Sequence, residues 1–136
     1  MIRRLLILLA LAAGVYAIAL APAIRAKRTD EGVKTLLLAV QRAMQDYHVE
    51  EEIYPATTPM SGSSLISLLV DQGYLEEAPH NPWSGQRWEL PDDPIDWLVY
   101  ETDGLAESYA LIAYRSEAKE RVHHTLDSSA NQSLEE

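Results

Sequence analysis

The sequence predicts an α+β protein in which one long N-terminal helix packs on a small three-stranded antiparallel sheet. Three observations predict this fold: a charge-free run at Leu5–Ile24, helical spacing of apolar residues in Val33–Tyr47, and three short alternating segments in the second half. The chain has 136 residues, which allows one folded domain. We divide it into an anchor at residues 1–27, a stem helix and head at 28–116, and a flexible acidic tail at 117–136.

The N-terminal anchor is predicted from hydropathy. From Leu5 to Ile24 there is no charged side chain, and basic residues flank this run on both sides. A helix of about 20 apolar residues matches the roughly 30 Å hydrocarbon core of a bilayer. A cleaved secretory signal is the alternative, because Ala19-Leu20-Ala21 has the small-x-small form of a cleavage site, although Pro22 directly after it hinders cleavage. In either case the acidic C-terminal part is expected outside the cytoplasm.

A stem helix is predicted to follow the anchor. Thr29 or Asp30 is expected to cap it, because short polar side chains accept backbone N–H groups at helix starts. Negative charge at Glu50–Glu52 is unfavourable at a helix C-terminus, and Pro55 prevents continuation, so the stem is expected to end there. The apolar residues recur every three or four positions and share one face, which is predicted to cover the head: Val33, Leu36, Leu37, Val40, Met44 and Tyr47.

A second, short helix is predicted at Leu65–Gln72, with Ser63 or Ser64 as its cap and Gly73 at its end. The stretch after it, residues 74–85, is rich in turn formers and is predicted to be irregular. In this stretch Asn81 is expected to form an Asx turn before Pro82. Three tryptophans are predicted to fill the core of a head this small: Trp83, Trp88 and Trp97.

Three strands are predicted in the second half, at Gln86–Leu90, Ile95–Glu101 and Glu107–Arg115. Turn-forming residues separate them, so the strands are expected to form an antiparallel meander. One face of this sheet would pack on the stem helix. From Ser116 onward the chain is polar with little periodicity, which predicts a frayed tail.

The charge of the chain is divided unevenly. Residues 1–34 carry six Lys and Arg against two acidic residues, a net +4, which leaves −14 for residues 35–136 because the whole chain carries −10. An acidic head argues against nucleic acid, whose binding needs a basic face. It is compatible with divalent cations, with basic partner surfaces, or simply with solubility. There is no cysteine, so no disulfide supports the small head, and the stem helix or a bound ion must complete its core.

Four short motifs follow the long helix in a recognisable order. They are Tyr54-Pro55-Ala56-Thr57-Thr58, Gly73-Tyr74-Leu75, Pro79-x-Asn81-Pro82-Trp83 with Gly85, and Tyr100-x-Thr102-Asp103-Gly104. Together with the helix they resemble the major pseudopilin of bacterial type II secretion, within the wider type IV pilin-like class. The resemblance covers roughly residues 5 to 105 and lies in the order and spacing of the motifs.

The resemblance implies a pilin-like fold and a structural role. The expected protein is a single-pass inner-membrane subunit, or an accessory protein, of a type II secretion or type IV pilus-like machine, with its head in the periplasm. Its implied partners are the lipid bilayer and related pilin-like subunits or inner-membrane secretion proteins. The alternative is a periplasmic binding module that reuses a pseudopilin head after signal cleavage.

The chain departs from the family at three places. The family's basic leader ending in Gly, and the Phe-Thr-Leu-Ile-Glu after it, have no counterpart between Met1 and Ile24. Asn81 stands where the family usually has Asp, and Leu105 and Ala106 replace the glycines that usually follow Asp-Gly. These departures bear on N-terminal processing and on incorporation into a filament.

A calcium site is implied at Asp103, which maps to the family's calcium-binding loop. Calcium needs six to eight oxygen ligands, several of them from carboxylates. Asp92, Asp93 and Asp96 are the carboxylates that sequence alone allows near it. A plain turn is the competing interpretation, because Asp and Gly are the residues that turns use.

No catalytic motif is present in the sequence. There is no His-Glu-x-x-His, no phosphate loop, and no Gly-x-Ser-x-Gly elbow. The pair His123-His124 is expected in the solvated tail, since no third metal ligand is spaced near it. His48 and His80 stand alone. The sequence therefore favours a structural or binding protein over an enzyme.

Overall fold

The computed structural model describes residues 2–115 and 122–128; for residues 2–24, 26 and 123 it describes the backbone alone. The fold is α+β, as predicted, and the described residues form two helices and one antiparallel sheet. In chain order the elements are α1 Ile2–Glu51, β1 Met60–Ser61, α2 Gly62–Asp71, β2 Leu98–Thr102, β3 Tyr109–Tyr114 and β4 Val122–Asp127.

The first helix, α1, runs without a break through the predicted stem. The cap predicted at Thr29 or Asp30 is therefore wrong, because the backbone N–H groups there already have partners in the preceding helical turn. Thr29 Oγ1 instead donates to the carbonyl of Arg25 at 3.0 Å, a bond typical of a helix interior. The predicted end is confirmed: α1 ends at Glu51, and Glu52 adopts φ 66° while its N–H donates to the carbonyl of His48.

Within the described part of the chain, no helix contains a stretch long and apolar enough to cross a bilayer. The side chains of Leu5–Ile24, on which the predicted anchor depends, lie outside that part.

One face of α1 closes the core of the head, as the sequence predicts. Its apolar residues pack against Leu65, Ile66 and Leu69 of α2 and against the inward residues of the sheet. Burying such a side chain fully contributes about 1.5–3 kcal/mol. The buried residues of α1 are Val33, Leu36, Leu37, Val40, Ala43 and Met44, each at most 3% exposed.

In the described ranges the sheet has four strands in the order β1-β2-β3-β4, all antiparallel, so the predicted three-stranded sheet is wrong. The predicted strand Gln86–Leu90 lies in the loop between α2 and β2 and forms only an isolated bridge, between Arg87 and His80. The missed strands are β1, which has two residues, and β4, which lies where the sequence predicts a tail.

The two central strands are confirmed with small shifts at their ends. They pair in a register that places Tyr100 opposite Leu111, and alternate residues face the core. Helix α2 is also confirmed, but its cap is Ser61 rather than Ser63 or Ser64, since Ser61 Oγ accepts the N–H of Ser64 at 3.2 Å.

Candidate functional site

The loop between α2 and β2, residues 72–97, has no helix or strand, and buried polar side chains fix its course. Asn81 is fully buried; its Nδ2 donates to the carbonyl of Ile95 at 2.6 Å, and its Oδ1 accepts the N–H of Trp83 at 3.0 Å. The second bond is the predicted Asx turn. Asn81 therefore joins the middle of this loop to the segment just before β2 and positions Pro82-Trp83.

Two aspartates tie the same loop to the start of α2. Asp93 accepts the N–H groups of Glu89 and Ile95, each at 2.9 Å, and donates its own N–H to Ser63 Oγ at 3.1 Å. Asp96 accepts the N–H of Ser63 at 2.8 Å. Both carboxylates act as backbone acceptors before β2 begins, which gives them a structural role.

Asp103 organises the turn between β2 and β3. Its Oδ1 accepts the N–H of Glu107 at 2.9 Å, and its Oδ2 accepts the hydroxyl of Ser108 at 3.0 Å. The bond from the Glu107 N–H is the main cause that holds the pKa of Asp103 below its usual value. The carboxylate thus accepts hydrogen bonds within its own turn, which is the usual role of Asp in a turn.

The carboxylates predicted near Asp103 do not join it in the part of the chain that the structure describes. Asp93 and Asp96 precede β2 whereas Asp103 follows it, so those two predicted neighbours lie at the opposite end of the strand. A groove of about 390 Å³ borders Asp103, with Glu101 and Asp127 among its lining residues. Across residues 2–115 and 122–128, no group of three or more His, Cys, Asp or Glu is placed to hold a metal ion. Calcium at Asp103 stays a prediction.

Tyrosines connect the Tyr54-Pro55 motif to the sheet. Tyr100 donates its hydroxyl to the carbonyl of Pro55 at 2.7 Å, and burial is the main cause that raises its pKa to about 12. The rings of Tyr54 and Tyr109 meet edge to face at 4.6 Å. The ring of His48 packs against Tyr54 with the centroids 4.5 Å apart and the ring planes tilted by 32°, so His48 acts as an aromatic packing residue here.

Tryptophans form a cluster in the α2–β2 loop. The ring centroid of Trp83 lies 6.3 Å from Trp88 and 5.6 Å from Trp97. Trp88 is 3% exposed and belongs to the core, as predicted, while Trp83 and Trp97 are half-buried. Trp83 therefore both supports the loop and presents part of its ring at the surface.

A groove runs between α1 and this loop, near the start of the described side chains. It has a volume of about 410 Å³ and is lined by Arg25, Arg28 and Thr29 on α1 and by His80–Gly85 on the loop. We call it the neck groove. The loop presses against α1 just beyond it, since a Cβ on Gly32 would lie 3.0 Å from Pro82 Cβ. In the described part of the chain, Arg25, Lys27 and Arg28 make no ion pair.

The opposite end of the head carries exposed apolar side chains within an acidic surface. The N–H of Tyr54 donates to the carbonyl of Ala106 at 2.9 Å, which holds the end of α1 beside the Asp103 turn. We call residues 49–53 and 103–107 the tip. The apolar residues of the tip are Val49, Ile53 and Leu105, which are exposed by 79%, 42% and 72%. Its acidic residues are also exposed: Glu50, Glu51, Glu52, Asp103 and Glu107.

One contact near the neck is not predicted by the sequence. His124 Nε2 lies 2.9 Å from Asp30 Oδ1, and Lys34 Nζ lies 3.1 Å from Asp30 Oδ2. This contact joins β4 to α1, and only a prediction of β4 would have revealed it. The side chain of His123 lies outside the described residues.

No protein-family model, no curated protein and no solved structure matches this chain.

Proposed function

We propose that this chain is a membrane-anchored, pseudopilin-like structural subunit, or an accessory protein, of a type II secretion or type IV pilus-like machine. One observation carries the proposal: α1 continues from the anchor region to Glu51, and its second half forms one side of the core of the head. Such a helix makes the head rigid with respect to its N-terminal segment. A subunit that packs side by side with related helices needs that rigidity.

The positions of the family-like motifs support the same proposal. Tyr54-Pro55 lies against Tyr100, and Asn81-Pro82-Trp83 lies against α1 near Gly32. Asp103-Gly104 forms the turn that meets the end of α1. The motifs thus fasten the head to the helix at both ends, which is a structural task and requires no catalytic group.

The location and cofactor belong to the proposal as well. The charge-free run Leu5–Ile24 would cross the inner membrane once, with the head in the periplasm. Calcium at Asp103 would add a second link between the β2–β3 turn and its surroundings.

A second candidate is a periplasmic binding module released by signal cleavage. Among the described side chains of α1, the first buried one is Val33, so cleavage near Pro22 or Lys27 would keep every described core residue. This observation favours the alternative specifically, because a soluble head would need no residue of the anchor.

The intact mass of the protein in membrane and soluble fractions of cells separates the two candidates. A full-length mass in the membrane fraction supports the anchored subunit. A mass in the soluble fraction that corresponds to a chain beginning near Pro22 or Lys27 contradicts the anchored subunit and favours the binding module.

The partners are tested with a photo-cross-linking amino acid at Leu38. Leu38 is 52% exposed on α1, away from the face that packs on the head. We expect it to capture subunits that mass spectrometry identifies as pilin-like. The matched control is the same cross-linker at Gln72, which is exposed at the end of α2. Equal capture of these subunits from both positions, or none from Leu38, would contradict side-by-side packing.

A further inference from the structure

The neck groove lies near the middle of α1, beside Arg25, whereas the tip lies at the C-terminal end of this helix. From Arg25 to Glu51, 26 residue steps at about 1.5 Å per residue separate them by roughly 39 Å along the helix axis. No single chain can bring these two surfaces together. Any contact between them has to join two molecules.

The two surfaces are complementary in charge. The neck groove carries Arg25 and Arg28, both exposed, with Lys27 beside them. The tip carries five acidic side chains, and one of them, Glu50, is fixed by the hydroxyl of Tyr74 at 2.9 Å. Opposite potentials of this kind guide two surfaces together and exclude other arrangements.

The two surfaces are also complementary in their apolar parts. Leu105, exposed by 72%, projects from the β2–β3 turn, and Ile53 follows the end of α1. On its loop side the neck groove offers Pro82 and the half-buried ring of Trp83, facing the basic side of α1. An apolar centre with a polar rim is the usual arrangement of a protein interface, and Trp and Arg are the residue types that most often dominate its energy.

We propose that the tip of one copy of this chain docks in the neck groove of a second copy. The contact is head to tail, so copies add in an open series in which only the first and the last copy keep one free surface each. This inference rests on the proposed function as a subunit and specifies its axial contact. Two copies anchored at equal depth in a bilayer cannot make it, because their tips and necks differ in height by roughly 39 Å; one copy must be displaced along the axis.

An anionic lipid surface is the competing partner for the neck groove. Lys and Arg next to a membrane are attracted to acidic headgroups. Lipid would leave the tip uncovered, however, because its acidic side chains are repelled by the same headgroups. Each contact between two copies covers one tip and one neck groove, which is why we favour a second copy.

Disulfide cross-linking tests the contact cleanly, since the chain contains no cysteine. Leu105→Cys marks the tip, and Ser84→Cys marks the neck groove with little change of shape. The two full-length variants carry different tags and are made in the same cells. We expect a mixed disulfide dimer after mild oxidation and none from either variant alone. The matched control pairs Leu105→Cys with Gln72→Cys, which lies outside both surfaces.

Three outcomes would overturn the inference. One is the absence of a mixed dimer when both variants are folded and present in the membrane. The second is equal cross-linking to Gln72→Cys. The third is a Ser84 thiol that becomes reactive only when lipid is removed, which assigns the groove to the membrane.

Charge reversal gives a second readout. Glu51→Arg or Arg28→Glu alone should lower the yield of mixed dimer about tenfold, and the two changes on opposite partners should restore it. The Leu38 cross-linker separates failure of this inference from failure of the proposed function. If it still captures pilin-like subunits while the tip-to-neck disulfide is absent, this inference fails alone; if neither forms, the proposed function fails with it.

Discussion

Gly62 lies so close to Leu98 that a Cβ on Gly62 would be 2.6 Å from the Cβ of Leu98 and 2.7 Å from Asp96 Oδ1. Gly62 begins α2 and Leu98 begins β2, so the absence of a side chain at Gly62 sets the distance between this helix and the sheet. Only glycine permits this approach without a shift of the backbone.

Gly62→Ala should therefore lower the free energy of unfolding by about 1–3 kcal/mol through overpacking. Thermal unfolding of the full-length chain, followed by tryptophan fluorescence, measures this change. Gly104→Ala is the matched control, because no atom lies within 4 Å of its added Cβ and its φ is not positive. Equal melting temperatures for the two variants would show that α2 and β2 can separate without cost.

The sequence predicts the elements that have a clear period and misses those that do not. The stem face of α1, helix α2 and the central strands all bury residues at regular spacing. Strand β1 has two residues, too few to show alternation, and β4 is a polar edge strand held mainly by pairing with β3. Period-based reasoning therefore finds the middle of this sheet and not its edges.

The candidate site was predictable only where the contacts are local. The Asx turn at Asn81 joins residues two apart, and the sequence predicts it. The hydrogen bonds between Ser63 and the two aspartates Asp93 and Asp96 join residues 30 and 33 positions apart, so nothing in the local sequence indicates them. The basic residues of the neck can be read from the sequence, but the groove between them and the loop depends on how the loop packs on α1.

Asn81→Asp should destabilise the head, although Asp is the residue that the resembled family usually has here. The Nδ2 of Asn81 donates to the carbonyl of Ile95, whereas a carboxylate can only accept. We expect a loss of about 1–3 kcal/mol at neutral pH. The introduced carboxyl would have a raised pKa in the folded state, so its destabilisation should shrink as pH falls below that pKa, because the protonated acid can donate.

Urea unfolding of wild type and Asn81→Asp at pH 7 and at about pH 4 measures this dependence. The control is Asn81→Ala, which loses both bonds and should show no such recovery in acid. A deficit in Asn81→Asp that is equal at both pH values would mean that the donated bond to Ile95 is unimportant.

Asp103→Asn should lower the melting temperature at neutral pH. The Asp103 carboxylate has a lowered pKa in the folded state, so its contribution is present above the unfolded pKa and is lost as pH falls through the folded one. The melting temperatures of wild type and variant should therefore converge in acid. Scanning calorimetry at several pH values checks this, and a gap that persists in acid would assign the effect to shape rather than charge.

Calcium should raise the melting temperature of the wild-type chain if the implied site exists, by mass action on the folded state. Asp103→Ala should abolish that rise, whereas Asp92→Ala, on the other side of β2, should keep it. The measurement is a titration of calcium into a chelator-treated sample, with magnesium as the comparison ion. No shift in wild type would remove calcium from the proposal.

Glu52→Gly should stabilise the protein by about 1 kcal/mol. Glu52 adopts φ 66° directly after α1, a conformation that favours glycine, and its charge is unfavourable near the C-terminus of a helix. Glu51→Gly is the control, because Glu51 is the last helical residue and glycine there should cost about 0.5–1 kcal/mol. Chemical unfolding of both variants should show opposite signs, and a shared sign would contradict this account.

Leu36→Ala and Leu38→Ala make the same change two residues apart on α1, and they should differ sharply. Leu36 is 2% exposed within the core, so its truncation should cost about 2–5 kcal/mol, whereas Leu38 is 52% exposed and should cost about 0.5 kcal/mol or less. Unfolding of each full-length variant gives the two values. A large difference would show that the head, which has no disulfide, depends on α1 for its core. A released head would then have to include α1 from Val33 onward. Equal, small losses of unfolding free energy in both variants would instead mean that α2 and the sheet are stable without α1, which would then only connect the head to the N-terminal segment.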